Sequence, residues 1–211
     1  NGETGFIMAC YKGHKDVVQL FLDHSNPNID LNARDFDRWT AFIWACQRGH
    51  KDVVQLLLNH SKRIELNARS NYGSTALILA CSNGHNDVVQ LLLDHSEKIE
   101  FNAKDDRGRT AFIWACKNGH KDVVQLLLDH SERIELNART NAGWTAFMNA
   151  CHCGHKDLVK LLLDHSEVVD INIPESFQLS EEIKTLLKIN LLKKVNLVIM
   201  AECLLLKRLC P

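Results

Sequence analysis

An all-α solenoid of five stacked repeats, each a helix-turn-helix plus a hairpin loop, closed by a C-terminal helical cap, is the fold class this sequence predicts. Three observations predict it. Gly-His recurs at Gly13-His14, Gly49-His50, Gly84-His85, Gly119-His120 and Gly154-His155, at spacings of 36 residues and then 35 three times. An Ala-Cys pair precedes each, at Ala9-Cys10, Ala45-Cys46, Ala80-Cys81, Ala115-Cys116 and Ala150-Cys151. A leucine-rich block follows each, and KDVVQLLL at 51–58 returns unchanged at 121–128. Self-similarity at a fixed period of this length marks stacked units, each too small to bury its own apolar face.

Within a unit, Thr4, Thr40, Thr75, Thr110 and Thr145 stand where a first helix should begin, because a Thr hydroxyl accepts from the unpaired amides there. A short apolar block follows, Phe42 to Cys46 in the second unit, and Gly49 ends it. A second helix opens near Asp52, whose carboxylate suits the positive helix start. Val53, Val54, Leu56, Leu57 and Leu58 are apolar around much of that helix, so it must be packed on more than one side. Arg63-Ile64-Glu65-Leu66-Asn67 alternates polar and apolar, which predicts a brief extended connector. The units divide as 1–37, 38–72, 73–107, 108–142 and 143–174, followed by a degenerate unit at 175–211. In that last part Ser180, Glu181 and Glu182 mark a helix start. The stretch from Leu191 to Leu209 is unusually apolar; it suits either a cap folded onto the fifth unit or a homodimer interface through 190–211.

Composition narrows the function classes. Lys plus Arg number 25 against 26 Asp plus Glu, a net charge of -1, which argues against a globally basic nucleic-acid binder. No apolar run reaches the roughly 20 residues of a bilayer span, and no leader is expected. The start at Asn1 rather than Met predicts a longer parent protein. Five of the eight cysteines occupy one repeat position. Stacked helices lie roughly 8–10 Å apart, whereas a disulfide needs Cα atoms within about 7 Å. The column is therefore read as small core residues in a reducing compartment, cytoplasmic or nuclear. The histidines fall into two columns, one beside the repeat glycines and one ending the second helices (His24, His60, His95, His130, His165), where a partly positive imidazole offsets the helix end. Cys151-His152-Cys153-Gly154-His155 packs four metal-binding types into five residues, but Cys151 and His155 are already repeat positions. No catalytic group, metal or cofactor is expected.

The set Gly108-Arg109-Thr110-Ala111-Phe112, Ala115-Cys116, Gly119-His120, Val123 to Leu128 and Leu136-Asn137-Ala138 resembles the ankyrin repeat. Three features depart from that pattern. Thr-Pro-Leu-His is replaced by Thr-Ala-Phe-Ile, which puts Ile43, Ile78 and Ile113 in place of a buried His. The Gly after the second helix is missing, and His130 to Arg133 fills the space with two extra residues. Arg38 stands where other units have Gly2, Gly73, Gly108 and Gly143, so that hairpin is expected to be rebuilt to avoid a non-glycine residue at positive φ. The resemblance also implies that Asn32, Asn67, Asn102, Asn137 and Asn172 bond the hairpin, and that such residues are sometimes hydroxylated. Leu206 and Cys210 give only a faint echo of a ubiquitin-ligase adaptor box. Near-identical copies would also suit a consensus design, against which the eight cysteines and the irregular C-terminus argue.

The function the resemblance implies is partner recognition on a concave face made by the hairpin tips and the first helices. The positions matching that face differ most among the five copies. They are Tyr11 and Lys12; Phe36, Asp37, Trp39, Gln47 and Arg48; Tyr72, Ser74, Ser82 and Asn83; Arg107, Arg109, Lys117 and Asn118; and Trp144, His152 and Cys153. Trp, Tyr and Arg are the types most often found as interface hot spots. With Arg38 and Asp106 included, the face carries Lys12, Arg38, Arg48, Arg107, Arg109 and Lys117 against Asp37 and Asp106. That balance predicts a protein partner with acidic and apolar features rather than nucleic acid or membrane. The alternative is a structural spacer or self-assembling element that uses the apolar C-terminus.

Overall fold

A computed structural model describes residues 4–23, 29–95, 97–174 and 177–192. The Gly2 position, His24, Cys203, the Leu206–Cys210 pair and nearly all of the 190–211 surface lie outside the described residues. Among those described there is no strand, and the helices come in pairs. The pairs are α1 (Gly5–Lys12) with α2 (Lys15–Asp23), α3 (Ala41–Arg48) with α4 (Lys51–Asn59), α5 (Ala76–Ser82) with α6 (Asn86–Asp94), α7 (Ala111–Asn118) with α8 (Lys121–Asp129), and α9 (Ala146–His152) with α10 (Lys156–Asp164). First helices pack on first helices and second on second, and each pair packs internally, giving two helical layers with one shared core. No described helix is long and apolar enough to cross a membrane.

Each first helix starts as its Thr requires. Thr40 is extended, and its hydroxyl accepts from the Ile43 amide; Thr4, Thr75, Thr110 and Thr145 do the same three residues on. Phe42, Ile43, Ala45 and Cys46 then turn inward and are fully buried, as are Val53, Val54, Leu57 and Leu58 across the layer. Burying each large side chain contributes about 1.5–3 kcal/mol, and the repeated pattern joins these residues into one continuous cluster from Phe6 to Ile183. Ile43, Ile78 and Ile113 are at most 1% exposed, so apolar packing holds the place that the family gives to a histidine.

The Gly-His column is an interlock between neighbours. Gly13, Gly49, Gly84, Gly119 and Gly154 all sit near φ +75°, a conformation that costs a side chain strain. A Cβ on Gly84 would lie 2.5 Å from the His120 ring, and Gly13, Gly49 and Gly119 face His50, His85 and His155 in the same way. Each ring also bonds the earlier first helix: Nε2 of His50, His85, His120 and His155 lies 2.9 Å from the carbonyls of Tyr11, Gln47, Ser82 and Lys117. The second histidine column works by hydrogen bonding. Nδ1 of His60, His95, His130 and His165 donates to the carbonyl four residues earlier, at 2.8–2.9 Å, satisfying a helix-end acceptor. Because a carbonyl only accepts, Nδ1 carries a proton in each of these bonds.

Three expectations are corrected. The connector is not extended: residues 61–67 form turns, with Ser61 N donating to Leu58 O and Arg63 N to His60 O. Its amides go to side chains instead of a strand ladder, for Glu65 N donates to Asn32 Oδ1 while Asn32 Nδ2 donates to Arg63 O. Asn67, Asn102 and Asn137 repeat that two-point clamp on the next connector, rather than on the hairpin. Nor is the hairpin at Arg38 rebuilt. Arg38 takes φ 60°, and its amide donates to Asp35 O at 3.0 Å, as Gly73, Gly108 and Gly143 donate to Ser70, Asp105 and Thr140. The hydrogen bonds that close the turn hold Arg38 in the left-handed region despite its Cβ.

After the fifth pair, residues 181–192 form a further helix, started by Ser180, whose Oγ accepts from Ile183 N. Ile183 is fully buried, Leu179, Leu186 and Leu187 pack on the core, and Lys156 meets Glu182 at 2.7 Å. The described part of the C-terminal segment therefore folds back on the fifth repeat.

Candidate functional site

Hairpins and first helices present one continuous surface, held from beneath by regular backbone bonds. Asn71 N donates to Asp37 O, Asp106 N to Tyr72 O and Asn141 N to Arg107 O, so successive hairpins stack in register. At the base of each stands a short polar side chain. Asp35 Oδ1 accepts from the amides of Asp37 and Trp39, Asp105 Oδ1 from those of Arg107 and Arg109, Ser70 from Tyr72 and Ser74, and Thr140 from Trp144. The hairpins are thus rigid platforms, and what differs is what they carry.

Of the positions predicted for the face, Lys12, Phe36, Asp37, Arg48, Tyr72, Asn83, Arg107, Asn118, His152 and Cys153 are exposed. Tyr11, Trp39, Gln47, Ser82, Arg109, Lys117 and Trp144 are half-buried. Ser74 is buried beneath its hairpin, where its amide meets Ser70, and offers nothing to a partner. Phe36 and Tyr72 are 76% and 70% exposed at the hairpin tips, an unusual placement for large rings that carries a desolvation gain for any partner covering them.

Three clusters organise the remainder. In the first, the Tyr11 ring meets Trp44 edge-on at 4.9 Å, Trp44 leans on Trp39 at 4.3 Å, and the Arg48 guanidinium lies 4.4 Å over Tyr11 while bonding its hydroxyl. In the second, the Arg109 guanidinium stacks on Trp114 at 3.9 Å, with Lys117 at 4.9 Å. Arg109 is also fixed to the buried Asp105 carboxylate at 2.8 Å. In the third, Trp144 contacts His152 at 5.0 Å and Phe177 at 4.9 Å, so the segment after the last repeat closes this end of the face. Ser82 accepts from Asn118 across two units, and Asn83 bonds its own helix at Leu79 O.

Trp44, Trp114, Asp35 and Asp105 are missing from the predicted face, yet they organise it. Each indole donates to its aspartate, Trp44 to Asp35 at 2.9 Å and Trp114 to Asp105 at 3.0 Å. The signal was present: both pairs recur 70 residues apart, whereas the equivalent positions between and after them carry Ser70 with Leu79 and Thr140 with Asn149.

The five-residue Cys/His run does not converge. Cys151 is in the core, His155 is bonded to Lys117 O, and His152 and Cys153 are on the surface. Among the described residues no three His, Cys, Asp or Glu side chains are grouped as metal ligands. The six described cysteines are free thiols. Burial pushes the column upward, Cys10 and Cys151 to about 12, and raises Cys46, Cys81 and Cys116 as well, with the adjacent thiols Cys10 and Cys81 adding to the rise at Cys46 and Cys116. Such thiols stay protonated at neutral pH and are inert as nucleophiles.

Comparison with known families agrees with this architecture. The family model described as ankyrin repeats (3 copies) matches residues 6–105 and 97–175. No curated protein matches the chain.

Proposed function

The chain belongs to the ankyrin repeat family, and from that premise we propose that it is a non-enzymatic module that binds a protein partner on its hairpin and first-helix face, the concave side in this family. Ankyrin repeats are generally protein–protein interaction modules. One observation carries the reading here: the columns that hold the stack repeat from unit to unit, while the hairpin tips change from Asp37 to Tyr72, Arg107 and Ala142 on an unchanged backbone ladder. A rigid platform with a variable surface suits recognition, because little ordering entropy is lost on binding. The buried, protonated thiol column supports placing the module in a reducing compartment, cytosol or nucleus.

Affinity capture from host lysate, followed by titration of the purified partner, tests the reading. The comparison is wild type against a Trp39→Ala, Arg107→Ala, Trp144→Ala variant shown by circular dichroism to be folded. Loss of at least about tenfold in affinity is expected, since hot-spot truncations typically cost 2 kcal/mol or more. Equal affinity of both proteins would move the site elsewhere. A second reading, self-association through the C-terminus, draws support from Ile189, Leu191 and Leu192, which are 47%, 64% and 62% exposed. Sedimentation showing a concentration-dependent dimer that disappears on deleting 190–211 would favour it.

A further inference from the structure

Between the fourth and fifth repeats the face opens into a cavity of about 410 Å³, lined by Arg107, Arg109, Lys117, Trp144, Asn149 and His152 among others. Its origin is a single column. The position occupied by Trp44, Leu79 and Trp114 in the preceding units is Asn149 here, a shorter side chain turned down onto Thr145 O at 2.9 Å. The space a larger residue would fill is left open beside Trp144.

The charge around this space is unbalanced. Arg109 is engaged by Asp105 and by the Trp114 ring. Asp106 is turned onto the preceding hairpin, where its Oδ1 lies 2.6 Å from the Cβ position of Gly73. Arg107 and Lys117 are left with no carboxylate within ion-pair distance among the described residues, and no acidic side chain lines the cavity. Two uncompensated cations beside a tryptophan ring, in a recess with a rigid floor, form a site for an anion joined to an apolar group.

We propose that this cavity is the specificity pocket of the binding face, and that it receives a Glu or Asp side chain of the partner followed by an apolar residue lying against Trp144. The proposal rests on the hairpin and first-helix face being the binding surface. Arg107 supplies the fork for the carboxylate and Lys117 a second positive charge, while Trp144 covers the adjacent apolar group. The other end of the face, at Tyr11, Trp39 and Arg48, has its rings and guanidinium already packed on one another.

The test selects short phage-displayed peptides of random sequence on the full chain. A selected peptide is then titrated beside analogues in which each acidic residue is replaced by Gln or by phosphoserine. Enrichment of Asp or Glu next to an apolar residue is expected, with perturbation of the Trp144 indole NMR signal. Binding should weaken about tenfold in an Arg107→Gln, Lys117→Gln variant, the size expected of one exposed and one half-buried ion pair together. Asn149→Leu, which restores the residue type of Leu79 and fills the space without altering charge, should weaken binding similarly. Equal binding of the Gln analogue, or no effect of either variant, would overturn the proposal. A phosphoserine analogue that binds tenfold more tightly would replace the carboxylate with a phosphate. Peptides that perturb only Tyr11 and Trp39 would overturn the pocket and leave the face standing, and failure to select any peptide would sink both.

Discussion

Along the connector edge, Asn32, Asn67, Asn102 and Asn137 make the same two hydrogen bonds to the next repeat, and ion pairs such as Arg34–Glu65 and Arg139–Asp170 follow the same period. Along the hairpin edge the backbone ladder is as regular, but the side chains standing on it are Asp37, Tyr72, Arg107 and Ala142. One edge repeats its chemistry and the other repeats only its geometry. If the hairpin face is the binding surface proposed above, the difference separates stability from recognition: residues of the constant columns should cost stability when changed, and exposed residues of the variable face should cost mainly affinity.

Alkaline unfolding gives the largest expected effect. A thiol titrates near 8.5 when unfolded, and the buried column is raised well above that. The folded state keeps protons that the unfolded state releases, so stability is full below about pH 8.5 and falls as pH rises beyond it, by about 1.4 kcal/mol per pH unit per thiol. Urea midpoints at rising pH should show this decline, flatter by about 3 kcal/mol per unit in a Cys46→Ala, Cys116→Ala protein. The decline should be unchanged in the Trp39→Ala, Arg107→Ala, Trp144→Ala face variant. A face variant that altered the slope would break the comparison.

Next in size is the glycine column. Gly84 and Gly154 share φ +74°, but a Cβ on Gly84 meets the His120 ring at 2.5 Å, while on Gly154 nothing described lies within 4 Å. Gly84→Ala should cost about 3 kcal/mol, from strain plus displacement of the ring, and Gly154→Ala about 1, from strain alone. Chemical denaturation that gave equal losses would refute the interlock. The smallest contrast is on the connectors. Asn67→Ala removes two bonds between repeats and should cost about 1–2 kcal/mol. Asn172, which among the described residues bonds Asp170 of its own connector, should be within about 0.5 kcal/mol of neutral by the same measurement.

The paired helices, the Thr starts, the buried Ala-Cys column and the surface placement of most hairpin and first-helix positions that vary were legible in the sequence, since each follows from composition at a fixed spacing. What lay hidden depends on register between units. Gly84 and His85 are neighbours in sequence, but Gly84 makes room for His120, and no periodic pattern distinguishes those two pairings. Trp44 and Trp114 sit inside an apolar block of the sequence, which gives no sign that their half-buried indoles donate to Asp35 and Asp105. Arg38 misled because local preference favours glycine there, whereas the hairpin's hydrogen bonds override it.

The clasp between Gly84 and His120 is the one between Gly49 and His85 and between Gly119 and His155. Every interface inside the stack therefore accepts the same neighbour, and the period is a unit of length as well as of shape. Losing residues 73–107 would bring His120 above Gly49 and the connector at Arg133 above Asn67, pairings of kinds already present. Growth or shortening by whole units leaves the interior grammar intact while setting new side chains beside one another on the hairpin face, so such a chain can change that surface without first solving its folding again.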